Sequence, residues 1–219
     1  MSRIAIVGGH GKIAQELIVT LVERGHLPVA LVRNEDHRAE LEEKGAEVGL
    51  LDIESSDADG FARAFEGCDA VVFSAGGGGD GNVERKRTVD LEGSLKSAQG
   101  AAAAGIKRLV QVSAIGVDEP VADDAEDAWK AYVEAKRDAD TALRATDLAW
   151  TILRPGRLTD DPGTGMVAIG DDVTRGDIPR ADVAAVIAVA LDDDTTIGHQ
   201  WNLVGGDTPV TDALAAATR

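Results

Sequence analysis

The chain has 219 residues, 44% of them hydrophobic, and a formal net charge of -17, a size that encloses one sizeable core and predicts a single domain over 1–219. So acidic a chain disfavours a nucleic-acid partner, because phosphate recognition needs clustered Lys and Arg. No apolar run reaches the roughly 18 residues of a membrane span and no signal peptide is recognisable, so no membrane partner and a cytoplasmic location are expected.

In chain order, compact apolar runs alternate with helical patterns, as in βαβ units. The expected strands are RIAIVG, PVALVR, AEVGLL, DAVVFSA, KRLVQVS and AWTILRP, apolar enough to be covered on both faces. Helices are expected over Lys12–Arg24, Asp36–Lys44, Asp57–Phe65, Val83–Ala104 and Asp127–Ala145, with Gly25, Gly45, Gly67 and Gly105 marking four of their ends. The AAAA run at Ala101–Ala104 reads as helix close against the sheet. After Pro155 the Gly/Pro/Asp-rich stretch GRLTDDPGTGMVAIGDD is too irregular for a crossover helix and suits a pocket wall. An amphipathic helix at Pro179–Leu191, the strand QWNLVG and a short final helix follow, so 156–219 form a substrate-side lobe. The fold class is therefore α/β, a doubly wound Rossmann sheet, mostly parallel, with helices on both faces.

Between the first strand and first helix, IAIVGGHGKIAQEL places Gly8, Gly11 and Ala14 in a G-x-x-G-x-x-A turn. There Gly8 allows the tight bend, Gly11 lets a phosphate approach the backbone, and Ala14 lets the helix lie close while its unpaired N–H groups face the anion. Gly9, His10, Lys12 and Ile13 complete this pyrophosphate-binding turn. The second strand ends LVRN, without the carboxylate that would take the ribose 2′-hydroxyl of NAD. Arg33 suits the 2′-phosphate instead, so NADP(H) is preferred over NAD(H), with Lys12 and Arg38 as helpers or plain surface charges. Asp52 and Ile53 after the third strand are expected near adenine. Ser74, Ala75 and Gly76 after the fourth are expected against ribose and pyrophosphate.

Tyr132 and Lys136 lie four apart in AYVEAKRDAD, on one helix face, where an ammonium favours phenolate and the tyrosine can exchange a proton with a carbonyl or alcohol. Ser113, closing the fifth strand, can orient the same oxygen. Ser113, Tyr132 and Lys136 are thus the candidate catalytic residues, with Ser113 and Lys136 bordering the nicotinamide. Arg157 and Thr159 face substrate or are loop residues, and Arg180 with Asp182 reads as a helix-start ion pair. No metal site is expected, since none of the four histidines stands at ligand spacing from another His or Cys. His10 sits in the phosphate turn through its backbone, whereas His26, His37 and His199 read as surface or loop residues. Cys68 reads as a small core-edge residue.

Taken together, VGGHGKIA, LVRN, VFSAG, LVQVSAIG, AYVEAKRDAD, TILRPGRLTDDPGTG and IPRADVAAVI resemble the atypical short-chain dehydrogenase/reductases of the NAD(P)H-binding, NmrA-like branch, which includes YhfK-type proteins and biliverdin reductase B. The resemblance implies a doubly wound sheet, NADP(H) binding, Pro155 of the strand-end RPG bordering the nicotinamide, and reduction of a small carbonyl, quinone or flavin-like substrate. It also leaves open an NADP(H)-sensing regulator with a protein partner, and an epimerase or dehydratase that uses the cofactor transiently.

Overall fold

Alternation of apolar residues along each strand decides which layer each side chain joins. In a computed structural model that describes residues 1–79 and 81–219, the strands β1 (Arg3–Val7), β2 (Leu27–Val32), β3 (Glu47–Leu50), β4 (Ala70–Phe73), β5 (Arg108–Val112), β6 (Ala149–Pro155) and β10 (His199–Gly205) run parallel in the order β3-β2-β1-β4-β5-β6-β10. Register is continuous: Ile6 lies beside Ala30 on one side and Val72 on the other, and Val110 lies beside Thr151. Odd and even strand positions point to opposite faces. Ile4, Ile6, Val72, Val110 and Leu153 therefore enter one core, while Ala5, Val7, Val71, Phe73 and Ile152 enter the other. Removing such a fully buried side chain, as in Ile6→Ala, costs about 2–5 kcal/mol.

Helices α1 (Lys12–Glu23), α7 (Arg180–Asp192) and α8 (Val210–Ala217) bury their apolar residues in the first core. The second is closed by α3 (Ala58–Ala64), α5 (Glu92–Ala103) and α6 (Asp127–Arg144). A stripe of buried Gly93, Ser94, Ser97, Ala98, Gly100 and Ala101 lets α5 lie close to Phe61 and Phe73. Of the AAAA run only Ala101 is buried, and Ala102, Ala103 and Ala104 face solvent, which corrects the expectation of a wholly packed run. Helix α7 is likewise not amphipathic: none of residues 181–190 is exposed, because α1 and α8 pack against it as well as the sheet.

A single turn at Glu35–His37 leads into α2 (Arg38–Glu43). The helix expected over Val83–Ala104 is continuous but not uniform. It runs as α4 (Val83–Arg85), a π-helical stretch Lys86–Leu91, and α5. The wider π turn carries Lys86 and Asp90 inward, and such turns concentrate at functional sites.

Past Pro155, β7 (Arg157–Thr159) pairs with β9 (Asp177–Pro179), while β8 (Met166–Gly170) joins the main sheet antiparallel to β10 and β11 (Thr208–Pro209) pairs with β8. The irregular stretch is thus strand rather than pure loop. Among the described residues no helix is long and apolar enough to cross a membrane.

Candidate functional site

The turn after β1 is built for close approach. Gly8 has φ +83, and a Cβ there would meet the Ala75 Cα at 2.9 Å, while one on Gly9 would meet the Ala30 Cα at 2.8 Å. Gly11 sits at the N-cap of α1 with no side-chain cap, and no acidic residue lies in the first turn. The first N–H groups of α1 consequently lack side-chain partners at the positive end of the helix.

These groups open onto a cleft of about 570 Å³ along the carboxyl ends of β1, β2, β3 and β4. Gly8, His10, Gly11, Arg33, Asp52, Ile53, Ser74, Ala75 and Gly76 all line it. Ser74 Oγ is buried in that wall with no hydrogen-bond partner among the described residues, an acceptor or donor available to a ligand. An open helix start, glycines pressed against the neighbouring strand and an unsatisfied hydroxyl fit a dinucleotide.

Other candidate residues lie outside the cleft lining. The Gly9 N–H donates to Leu31 O at 3.0 Å, and the Ile13 side chain is buried in the core. Lys12 Nζ is held at 2.5 Å by Asp160, which also accepts from Arg180. Arg180 therefore does not pair with Asp182 as expected. Asp182 is instead buried, accepting from the Thr164 hydroxyl and from the N–H groups of Thr164 and Gly165, so it anchors the Gly/Pro loop. Arg38 is used locally by Glu35, Glu42 and the Val48 carbonyl. Arg157 is exposed and pairs with Asp177, while Thr159 Oγ1 is buried without a hydrogen-bond partner among the described residues.

Sequence reasoning passed over several cleft residues. Asn34, His37, Glu54, Arg85 and Val89 line it as well. His37 is not an ordinary surface residue: its ring stacks on His10 at 3.5 Å. His26 is also mostly buried, accepting from the Ser2 N–H and lying 3.0 Å from Asp192. Arg85 and Val89 are four apart, so helical spacing held the signal for both.

Ser113, Tyr132, Lys136 and Pro155 are not among the cleft-lining residues; Lys136 sits behind Ala75 of the cleft wall, between the ends of β4 and β5. Its Nζ donates to Val112 O at 3.2 Å, reaches Ala75 O at 3.5 Å and lies 3.1 Å from Asp90 Oδ1. Burial alone would lower its pKa, but Asp90 and Tyr132 outweigh that and raise it, so the ammonium is retained. The Tyr132 ring lies between two ammonium groups, with Lys86 Nζ 5.6 Å and Lys136 Nζ 6.0 Å from its centroid. Burial raises the phenol pKa above its ordinary value of 10.0, reinforced by Asp90 and Asp140 and only partly opposed by Lys136. Lys136 does pull the phenol towards phenolate, as the spacing implied, but burial outweighs it. Tyr132 is a neutral phenol at physiological pH.

Ser113 closes β5, and its hydroxyl donates to Asp140 Oδ2 at 2.8 Å. Asp140 is fully buried and also accepts from Gln111 Nε2 and Arg154 Nε, both at 2.8 Å. Arg154 continues to Asp118, whose carboxyl it holds below the usual range. Asp140 stands one helical turn beyond Lys136, so helical spacing held the signal for a residue that sequence reasoning passed over. Pro155 is buried at the end of β6.

A parallel doubly wound sheet with a glycine turn and open helix start at its carboxyl edge defines a dinucleotide-binding Rossmann protein. The NAD(P)H-binding family profile matches residues 8–194, and the chain belongs to that family, as an atypical short-chain dehydrogenase/reductase. It is 39% identical to "Uncharacterized sugar epimerase YhfK" of Bacillus subtilis, over 97% of this chain and 98% of that one. A solved structure from Bacillus halodurans, described as an NAD-dependent epimerase/dehydratase, is 37% identical, covers 99% of this chain and 100% of its own, and superposes with a TM-score of 0.91. The oxidoreductase ylbE of Lactococcus lactis is 29% identical over 98% of this chain and 95% of its own, with a TM-score of 0.85.

Proposed function

We propose that this protein is an NADPH-dependent oxidoreductase that reduces a small carbonyl, quinone or flavin-like molecule. The observation that carries the proposal is the neutral Tyr132 phenol beside the buried Lys136 ammonium, which reaches the carbonyl of Ala75 in the wall of the dinucleotide cleft. NADPH, when bound, supplies the hydride.

The chain's own residues supply binding and a proton. The open start of α1, with Gly8 and Gly11, holds the pyrophosphate. Asp52 and Ile53 flank adenine, and Ser74, Ala75 and Gly76 meet ribose and pyrophosphate. Arg33 lines the cleft with its guanidinium largely exposed, and the first carboxylate after β2, Glu35, is already engaged by Arg38. That combination supports a 2′-phosphate over a bare ribose hydroxyl. Tyr132 gives its proton to the substrate oxygen, and Lys136 offsets the negative charge left on the phenol. Ser113, Lys136 and Pro155 border the nicotinamide end.

Titration of the protein with NADPH and NADH tests the cofactor assignment, and tighter NADH binding overturns it. Replacing Tyr132 with Phe should abolish turnover of whichever member of a carbonyl, quinone and flavin panel is reduced, with NADPH affinity intact. Unchanged turnover removes Tyr132 from the chemistry.

One observation favours a second reading, an epimerase or dehydratase. Because Ser113 commits its proton to Asp140, its lone pairs are left to accept from a substrate hydroxyl, in keeping with the names given to the relatives from both Bacillus species. Turnover without net change in the oxidation state of the cofactor would select it over net reduction.

A further inference from the structure

Where the cleft reaches the end of β2, a carboxylate is wedged between two guanidinium groups. Glu54 Oε2 lies 3.4 Å from Arg33 Nη1 and 3.7 Å from Arg85 Nε, while its Oε1 accepts from the Thr88 hydroxyl at 2.8 Å. These residues come from three separate elements: Arg33 follows β2, Glu54 follows β3, and Arg85 and Thr88 belong to the helix after β4. Arg33, Glu54 and Arg85 all line the cleft. The Glu54 side chain is 32% exposed, and the Thr88 hydroxyl and the two guanidinium groups hold it in place.

A carboxylate and a phosphate present the same acceptor geometry to a guanidinium fork. Glu54 therefore occupies, from within the chain, the place an anion would take between Arg33 and Arg85. A phosphate carries about -1.5 to -2 charges near neutral pH. Bringing it to Arg33 while Glu54 remains sets two anions against each other across one pair of cations.

We infer that Glu54 is the residue that limits discrimination between 2′-phosphorylated and unphosphorylated adenosine ribose, and that Arg85 is the second cation of the phosphate clamp. The inference rests on the assignment of Arg33 to the 2′-phosphate. When the phosphate binds, Arg33 and Arg85 exchange the carboxylate for phosphate oxygens, and Glu54 turns away or stays at an electrostatic cost. With an unphosphorylated ribose, Glu54 keeps its two arginine contacts and its free lone pairs accept the ribose hydroxyls. The same carboxylate thus weakens one ligand and assists the other.

Isothermal titration of the full chain with 2′,5′-ADP and with 5′-AMP isolates this end of the cleft, because the two probes share adenosine and the 5′-phosphate. Glu54→Gln should tighten 2′,5′-ADP about fivefold, as expected for removing one partly exposed like charge, and leave 5′-AMP unchanged or weaker. Arg85→Gln should weaken 2′,5′-ADP and leave 5′-AMP unaltered. An unchanged or lower preference for 2′,5′-ADP in Glu54→Gln overturns the role of Glu54, and an unchanged preference in Arg85→Gln overturns that of Arg85. Failure of the NADP assignment shows separately, as a wild-type protein that binds 2′,5′-ADP no better than 5′-AMP.

Discussion

Ser113 Oγ stands 2.8 Å from Asp140 Oδ2, and that contact fixes the direction in which the serine acts. A hydroxyl has one proton, and here it points into a buried carboxylate, so the oxygen can otherwise only accept. Asp140 in turn is held by Gln111 and Arg154, so the serine belongs to a network that crosses from β5 to β6.

Asp140→Asn should therefore destabilise the fold far more than loss of one hydroxyl contact. Arg154 would keep Asp118 but lose its buried counter-charge, at a cost of about 3 kcal/mol. Ser113→Ala should cost about 1 kcal/mol. Chemical denaturation of the two variants measures both, and equal losses would show that the buried charge pair contributes nothing of its own.

Tyr132 is the sole tyrosine of the chain, so phenolate absorbance in the near ultraviolet reads one group. Its half-titration should fall above pH 10 in the folded protein, because burial outweighs Lys136. The sign for stability follows. Above about pH 10 the unfolded chain gives up a proton that the folded chain keeps, so stability falls as pH rises through that window. Lys136→Met should move the titration higher still, and a shift downward would refute the attraction between ammonium and phenol.

Gly8→Ala should remove nucleotide binding and cost about 1–3 kcal/mol. Its φ of +83 is strained for any L side chain, and the added carbon meets Ala75 at 2.9 Å. Calorimetric titration with NADPH, beside a melting curve, checks the two effects together.

Arg108→Leu should lower stability without touching nucleotide affinity. At the amino end of β5, its guanidinium donates to Ala149 O, Ala190 O and the Thr196 hydroxyl, and burial lowers its pKa to about 10, still charged at neutral pH. Removing it leaves three partly or wholly buried acceptors, a loss of about 3 kcal/mol. Changed NADPH binding in a folded Arg108→Leu protein would contradict the separation of the two sheet ends.

The parallel strands and most helices were legible because burial on both sheet faces leaves short apolar runs, and Gly25, Gly45, Gly67 and Gly105 mark where helices stop. The cleft turn was legible for the same local reason: Gly8 and Gly11 act through their own backbone. What escaped was set by contacts distant in sequence. Asp182 faces Thr164 rather than Arg180, and Asp160 reaches back to Lys12. Glu54 gains its place only when β2, β3 and the helix after β4 converge. Tyr132 and Lys136 were readable as neighbours, but the balance of burial against charge at the phenol was not.

The π-helical stretch Lys86–Leu91 carries a consequence for sequence drift. A π turn holds one residue more than the α turn it interrupts. Losing a single residue there would rewind the helix and swing its earlier part by about 100° relative to α5. Asp90 and Lys86 could then no longer both face Lys136 and Tyr132, although every one of those side chains would survive. The charge arrangement around the phenol is thus a property of chain length at that point, and a one-residue deletion would erase it more completely than a conservative substitution.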